Sequence, residues 1–352
     1  MNKLELLNIL KLAKPALADK EVVPIFTHFC FENDVVFAYN DIMGVLFPLE
    51  SGIEAAVHGD TLMGVLENTK GDEIEMVQKG NGIVIKRGKQ KQTELVTLPK
   101  DDFIFNEPDT KKAISLAYDA ALSKAFDLCV RTASTDTAST AMMGVTLSLD
   151  EESFMYSTDM KTISRHAILS GETHKPSEHI LPTDFVKTLA KMFETMGEEV
   201  TLLLTDEFAM GEFESGAFLF GRLHESDQDL DFAALIDESM DESELAEAYD
   251  IPVDLESELK IAQAVIKNDK DTFTNLSIKK NAIVLGASAN SGDTGGTLKL
   301  KGKHSDIEIC VDTELVIRAI SMCDKMVINE TCVSTLKGDG FFHMIANVSE
   351  IQ

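Results

Sequence analysis

PTDFVKTLAKMFETMGEEVTLLL, spanning Pro182–Leu204, reads as a helix that turns into a strand. Its apolar residues recur at three- and four-residue spacing, which buries one face of a helix. The Thr or Asp at its start can accept from the free N–H groups of the first turn. Two other stretches share this design: GDTLMGVLENTKGDEIEM (Gly59–Met76) and VDTELVIRAISMCDKMVI (Val311–Ile328). Each continues into an apolar strand, and the three start about 125 residues apart.

A second helix precedes each of these, over Leu4–Leu17, Tyr118–Arg131 and Leu255–Lys267. Strand patterns fill the rest. VVPIFTHFCFE and DVVFAYND pair around Asn33-Asp34, AMMGVTLSLD pairs with SFMYSTD, and TFTNLSIKKNAIVLGAS repeats the arrangement. IEMVQ, GIVIKRG and TELVTLP are further short strands. The unit is helix, strands, helix, strands, three times over, with domains at 1–110, 111–238 and 239–352. Strand runs with two helices each predict α+β domains with antiparallel sheets.

Composition is that of a soluble globular protein, 44% apolar and 26% charged. The absence of Trp argues against an aromatic-rich binding surface. No apolar run reaches the roughly 18 residues of a membrane span. MNKLELLNILKLAK is amphipathic rather than a signal peptide, which predicts a cytoplasmic protein. Cys30, Cys129, Cys310, Cys323 and Cys332 are widely spaced and read as buried thiols in a reducing compartment. The net charge of −28 taken alone disfavours nucleic acid. Its distribution matters more. Between Arg222 and Lys260 there is no Lys or Arg, while Asp and Glu crowd in. That stretch reads as a solvated connector with an apolar anchor at Phe232–Ile236.

Basic residues recur at one- or two-turn spacing on the proposed helices: Lys11 and Lys14, Lys124 and Arg131, Lys187 and Lys191, Lys260 and Lys267, Arg318 and Lys325. Intervals of three, four and seven put both members on one helix face. In so acidic a chain, five such pairs suggest a stripe facing DNA phosphates, whose contacts carry no sequence information, with an ordinary solvated helix face as the alternative for any one pair.

The order VVPIF (Val22–Phe26), TLPKDDF (Thr97–Phe103), STDMKTISRHAI (Ser157–Ile168) and ILPTDFVKTLAKMF resembles the bacterial and phage β-type sliding clamps, the DNA polymerase III β-subunit family, across essentially the whole chain. Met160, Lys161 and Thr162 stand where the family commonly has Gly, His and Arg, and the C-terminal MIANVSEIQ lacks the usual Met-Pro-rich end. The resemblance implies three clamp domains forming half of a ring. It implies a homodimer around double-stranded DNA, in the cytoplasm of a bacterium or of a phage's host. The replicative DNA polymerase and a clamp loader are its implied partners. A client-peptide pocket carried over residue by residue involves Thr158, Met160, Thr162, Ile163, Ile236, Met344, Ile345 and Ala346. Core packing is the plain alternative for its apolar members. Val265 and Ile266 would face Leu95 of the partner across the dimer interface, with intramolecular core as the alternative.

Enzyme readings find little. SGDTGGT (Ser291–Thr297) lacks the phosphate-loop order and no helix follows it, so it reads as a hairpin. Gly302-Lys303-His304 fails the same test. His174 and His179 have no third ligand nearby in sequence. Asn275, Asn329 and Asn347 fit glycosylation sequons that a chain without a secretory signal would not use. No catalytic residue, metal or cofactor is expected. A protein scaffold built on the same repeat, without DNA, is the rival reading.

Overall fold

The computed structural model describes the chain apart from residues 21, 33, 88–90, 104–107, 136–139, 169–175, 226–230, 240–244, 246, 268–272, 302–304, 339 and 349–352. Asn33, His174 and Gly302-Lys303-His304 thus lie outside the described residues. Among the described residues its α-helices are α1 (Lys3–Ala13), α2 (Gly59–Glu67), α3 (Ala120–Val130), α4 (Thr183–Met196), α5 (Phe232–Ser239), α6 (Leu255–Ile266) and α7 (Thr313–Met322). Pro15 ends α1 early, and a 3-10 turn at Lys14–Ala16 replaces its expected last turn.

The strands preceding α3 are β1 (His28–Glu32), β2 (Val35–Tyr39), β3 (Met43–Pro48), β4 (Glu54–His58), β5 (Glu75–Lys79), β6 (Gly82–Arg87), β7 (Lys91–Leu98) and β8 (Ile114–Tyr118). Between α3 and α5 lie β9 (Gly144–Leu149), β10 (Ser153–Thr158), β11 (Thr162–Ile168), β12 (Ser177–Pro182), β13 (Val200–Leu204), β14 (Phe208–Phe213) and β15 (Phe218–Arg222). The remainder are β16 (Tyr249–Asp250), β17 (Phe273–Lys279), β18 (Ala282–Ala289), β19 (Gly292–Lys299), β20 (Ile307–Asp312), β21 (Lys325–Ile328), β22 (Cys332–Lys337) and β23 (Phe341–Ala346). Each segment quoted for the repeat is a helix leading into a strand, and a strand runs directly into each helix: β4-α2-β5, β12-α4-β13 and β20-α7-β21.

The caps differ among the three. Only Asp312 caps as expected, accepting from Glu314 N (3.0 Å) and Leu315 N (3.3 Å). His58 Nδ1 accepts from Thr61 N (3.4 Å) at α2, because that helix starts at Gly59, ahead of Asp60. Pro182 holds the cap position of α4 with no side-chain bond.

The chain divides into two compact units. One comprises Met1–Asp127 and His179–His224, the other Leu128–Glu178 and Glu225–Gln352. The first contains an antiparallel sheet in the order β5-β6-β7-β4-β1-β2-β3-β15-β14-β13-β8. Its continuity rests on β3 pairing with β15, Leu46 opposite Phe218 and Val45 opposite Leu219. Leu6 and Leu10 of α1, Leu62 and Leu66 of α2, and Phe29 and Phe31 of β1 are fully buried. A Cβ on Gly221 would lie 2.9 Å from that of Phe185, so α4 seats closely on β15 only because glycine stands there.

In the second unit one sheet runs β9-β10-β11-β23-β22-β21-β16 and another β19-β18-β17-β20. Leu255 and Leu259 of α6, Val316 and Ile320 of α7, Ile309 of β20 and Ile345 of β23 share one core. The glycine-rich stretch that invited a phosphate-loop reading is largely β19, paired with β18 as a hairpin.

Candidate functional site

The β10–β11 hairpin turns through Asp159, Met160 and Lys161, and short-range bonds build the turn. Asp159 Oδ1 accepts from Lys161 N (3.1 Å), Thr162 N (2.7 Å) and Thr162 Oγ1 (2.8 Å). Thr158 Oγ1 accepts from Met160 N (3.1 Å) and donates to Thr162 O (2.7 Å). Met160 is thereby held at φ 72°, left-handed backbone that disfavours a non-glycine residue by roughly 1–2 kcal/mol. Its side chain is 70% exposed, whereas Thr158 and Thr162 are buried.

β11 runs beside β23, with Ile163 opposite Met344 and Thr162 opposite Ile345. Ile163 and Met344 join Tyr156, Val327, Cys332 and Phe342 in an apolar cluster, completed by Phe232 and Ile236 of α5. Tyr156 and Phe232 stack with centroids 5.1 Å apart. Both ends of α5 are fixed. Asp231 Oδ1 accepts from Ala234 N (2.9 Å), while Ser239 O accepts from Asn329 Nδ2 (2.9 Å) and Thr331 Oγ1 (2.8 Å). The acidic connector therefore contains a helix, anchored by the apolar residues read from sequence. Leu235, next to Ile236, is 39% exposed.

The structure thus brings together Ile163, Ile236 and Met344, with Thr158, Met160 and Thr162 in the adjoining turn. It separates Ile345, because successive residues of a strand point to opposite faces: Ile345 packs with Leu255 and Val316 instead. Ala346 contributes through its backbone, donating to Lys161 O (3.0 Å).

Polar side chains lie on the Ile345 face of these strands. Ser164 Oγ is 2.7 Å from His343 Nδ1, Thr132 Oγ1 is within hydrogen-bond reach of Ser164 Oγ, and all three residues are fully buried. Ser164 and His343 have the spacing of a nucleophile and its base, but at zero exposure no substrate reaches them. Burial, reinforced by the Arg318 charge and opposed by Asp159, pushes the His343 pKa down to about 3. Nε2 has no hydrogen-bond partner among the described residues. A bare lone pair there costs less than an orphaned N–H, which favours the proton on Nδ1.

The basic residues read as a stripe fall into three groups. Lys11 pairs with Glu67 (3.5 Å), Lys14 with Asp60 (2.8 Å) and Lys260 with Glu256. Lys124 on α3, Lys187 and Lys191 on α4, and Arg131 and Lys267 just beyond α3 and α6 are exposed. The fifth pair does not share a helix face. α7 stops at Met322, Lys325 opens β21, and Arg318 is half-buried against Asp159, Nη2 to Oδ2 3.4 Å.

At the expected dimer contact, Leu95 is buried opposite Ile83, and Ile266 packs against Ala262 and Ala287 with Val265 alongside. Leu95 and Ile266 thus serve their own cores, and the neighbouring Val96 is 82% exposed. β7 pairs with β6 over Lys91–Val96 and meets β4 only at Thr97 and Leu98, and β19 is the edge of its sheet.

His179 is buried, which lowers its pKa. Among the described residues no group of three or more His, Cys, Asp or Glu is placed to hold a metal ion, and no helix is long and apolar enough to cross a membrane.

No protein-family model and no curated protein sequence matches the chain. Solved structures do match. The DNA polymerase III subunit beta of Pseudomonas aeruginosa superposes with a TM-score of 0.86 at 13% identity, covering 99% of this chain and 98% of that one. The chain has the β sliding-clamp fold. The beta subunits of Streptococcus pyogenes and Thermotoga maritima match with TM-scores of 0.85 and 0.84, both at 16% identity and the same coverage. A second P. aeruginosa clamp structure holds griselimycin. Within the clamp fold of this chain, sequence reasoning missed the Arg318–Asp159 pair, the Asn329 anchor of α5 and the buried His343 network. An uncharged ring inside FFHMIA was the one local signal for the last.

Proposed function

We propose that this chain is a non-enzymatic DNA sliding clamp: a homodimeric ring of two three-domain chains that encircles duplex DNA and tethers the replicative polymerase and other clients. The observation that carries this reading is likeness of fold to β clamps over nearly the whole chain. The domains are those at 1–110, 111–238 and 239–352. A loader opens the ring, and the chain works in the cytoplasm.

DNA passes the exposed Lys124, Arg131, Lys187, Lys191 and Lys267. Lys11, Lys14 and Lys260 lie on the same path, each within ion-pair reach of a carboxylate. Ring closure joins the open flank of β7, at Val96, to β19 of the partner chain. Edge strands carry unpaired backbone groups ready for such pairing. Client peptides place apolar side chains against the exposed Met160 and Leu235, beside the buried Ile163–Met344–Ile236 cluster, and griselimycin, which a P. aeruginosa clamp holds, probes the same surface. Met suits a surface that must adapt to several peptides.

The test is retention on nicked circular DNA. Salt weakens phosphate contacts through counterion release but does not screen topology. The loaded protein should persist at salt that strips ordinary DNA-binding proteins, then leave when the circle is cut. Rapid loss from intact circles while the dimer persists would refute the ring and favour a scaffold that never encloses DNA.

A further inference from the structure

We propose that Arg318 is a positioning residue for the client site, holding the Asp159 turn that sets Met160 and Ile163. This rests on the client-site reading above. Val316, Ala319 and Ile320 put the core-facing side of α7 into its own unit, and Arg318 lies off that side. It reaches a turn 159 residues away in the chain. Asp159 Oδ1 is taken by three donors within the turn, so Oδ2 is the oxygen left for a cation. Arg318 Nη2 lies 3.4 Å from it and 3.4 Å from Thr162 Oγ1. One guanidinium nitrogen thus contacts both side chains that close the turn.

What the turn closes is the rim of the site. Met160 is held in left-handed backbone with its side chain in solvent, and Ile163 follows directly in register with Met344. If the turn relaxes, Met160 leaves the conformation that presents it, and the start of the Ile163 strand loosens. Arg318 Nε is buried without a partner among the described residues, a desolvation cost that a Met or Leu at this position would not carry. The ion pair with Asp159 explains why a guanidinium stands there. The side chain that helical spacing assigned to DNA is thereby committed to the client site.

The experiment titrates griselimycin, by calorimetry, into the intact chain and into Arg318→Met, Arg318→Lys, Asp159→Asn and the Arg318→Met/Asp159→Asn double variant. Ile163→Asp is the control for the site itself. Arg318→Met and Asp159→Asn should each weaken binding roughly tenfold. The double variant should be no weaker than either, and Arg318→Lys should recover part of the loss. Amide exchange at 160–163 should quicken in the weakened variants. A purely structural role would instead lower the urea midpoint in step with affinity, give additive losses, and show no rescue by Lys. Unchanged affinity in folded Arg318→Met and Asp159→Asn, with Ile163→Asp impaired, would overturn the role of Arg318 alone. Absence of griselimycin binding by the unsubstituted chain, or full binding by Ile163→Asp, would overturn the site reading and this proposal with it.

Discussion

Acid should weaken the second unit through a single imidazole. His343 is fully buried and its pKa falls from 6.5 to about 3, chiefly by desolvation. In the unfolded chain it protonates near 6.5, while in the folded protein it stays neutral. A base with a depressed folded pKa gives stability that is fully present above 6.5 and lost as pH falls from 6.5 toward 3. Between pH 7.5 and pH 5 the linkage amounts to about 2 kcal/mol, at roughly 1.4 kcal/mol per pH unit once below the unfolded value. Acidic residues also change stability over this range, so the comparison must cancel them. His343→Asn does so: its amide NH2 can still donate to Ser164 but cannot titrate. Urea unfolding followed by circular dichroism should show the variant less stable at pH 7.5. The gap should then narrow by about 2 kcal/mol at pH 5. A gap that is the same at both pH values would show that His343 is not held neutral, and the account of its burial would fail.

Met160→Gly should raise stability by about 1 kcal/mol, since the left-handed strain goes and an exposed side chain loses no packing; a lower urea midpoint would contradict this. The same change should weaken griselimycin binding, because the rim loses its apolar surface. Asn329→Ala should cost about 1–2 kcal/mol and quicken amide exchange across Phe232–Ser239, because Asn329 links Ser239 O to the N–H groups of Thr331 and Cys332. Unchanged exchange in α5 would mean that the helix is held by its apolar face alone.

Much of the fold was legible because helical and strand periodicities survive wherever one face is buried. The three helix-to-strand segments fall where spacing put them, and Phe232 and Ile236 anchor the acidic connector as read. Ile163, Ile236 and Met344, grouped by the resemblance, lie in one buried apolar cluster, an arrangement that core packing alone would also give. What stayed hidden depends on contacts distant in sequence. Spacing alone put Arg318 with Lys325, but α7 ends between them, and the carboxylate that holds Arg318 belongs to another repeat. Leu95 and Ile266 show the same limit from the apolar side, since neither strand alternation nor helical spacing says whether a buried face meets its own core or a second chain. The resemblance groups Ile345 with Met344, although neighbours on a strand serve opposite faces.

The junction of β3 with β15 bears on how this molecule could be dissected. An engineer guided by the sequence repeat would cut after residue 110 to obtain the first domain by itself. That fragment would keep β3 but lose the strand opposite Met43–Leu46, leaving a row of backbone donors and acceptors flanked by Val45 and Leu46. Bare edges of this kind template pairing with other copies. Such a fragment would reach for its missing neighbour in solution and precipitate or swap strands, so a soluble excised piece needs residues 179–224 supplied with it, by permutation or co-expression.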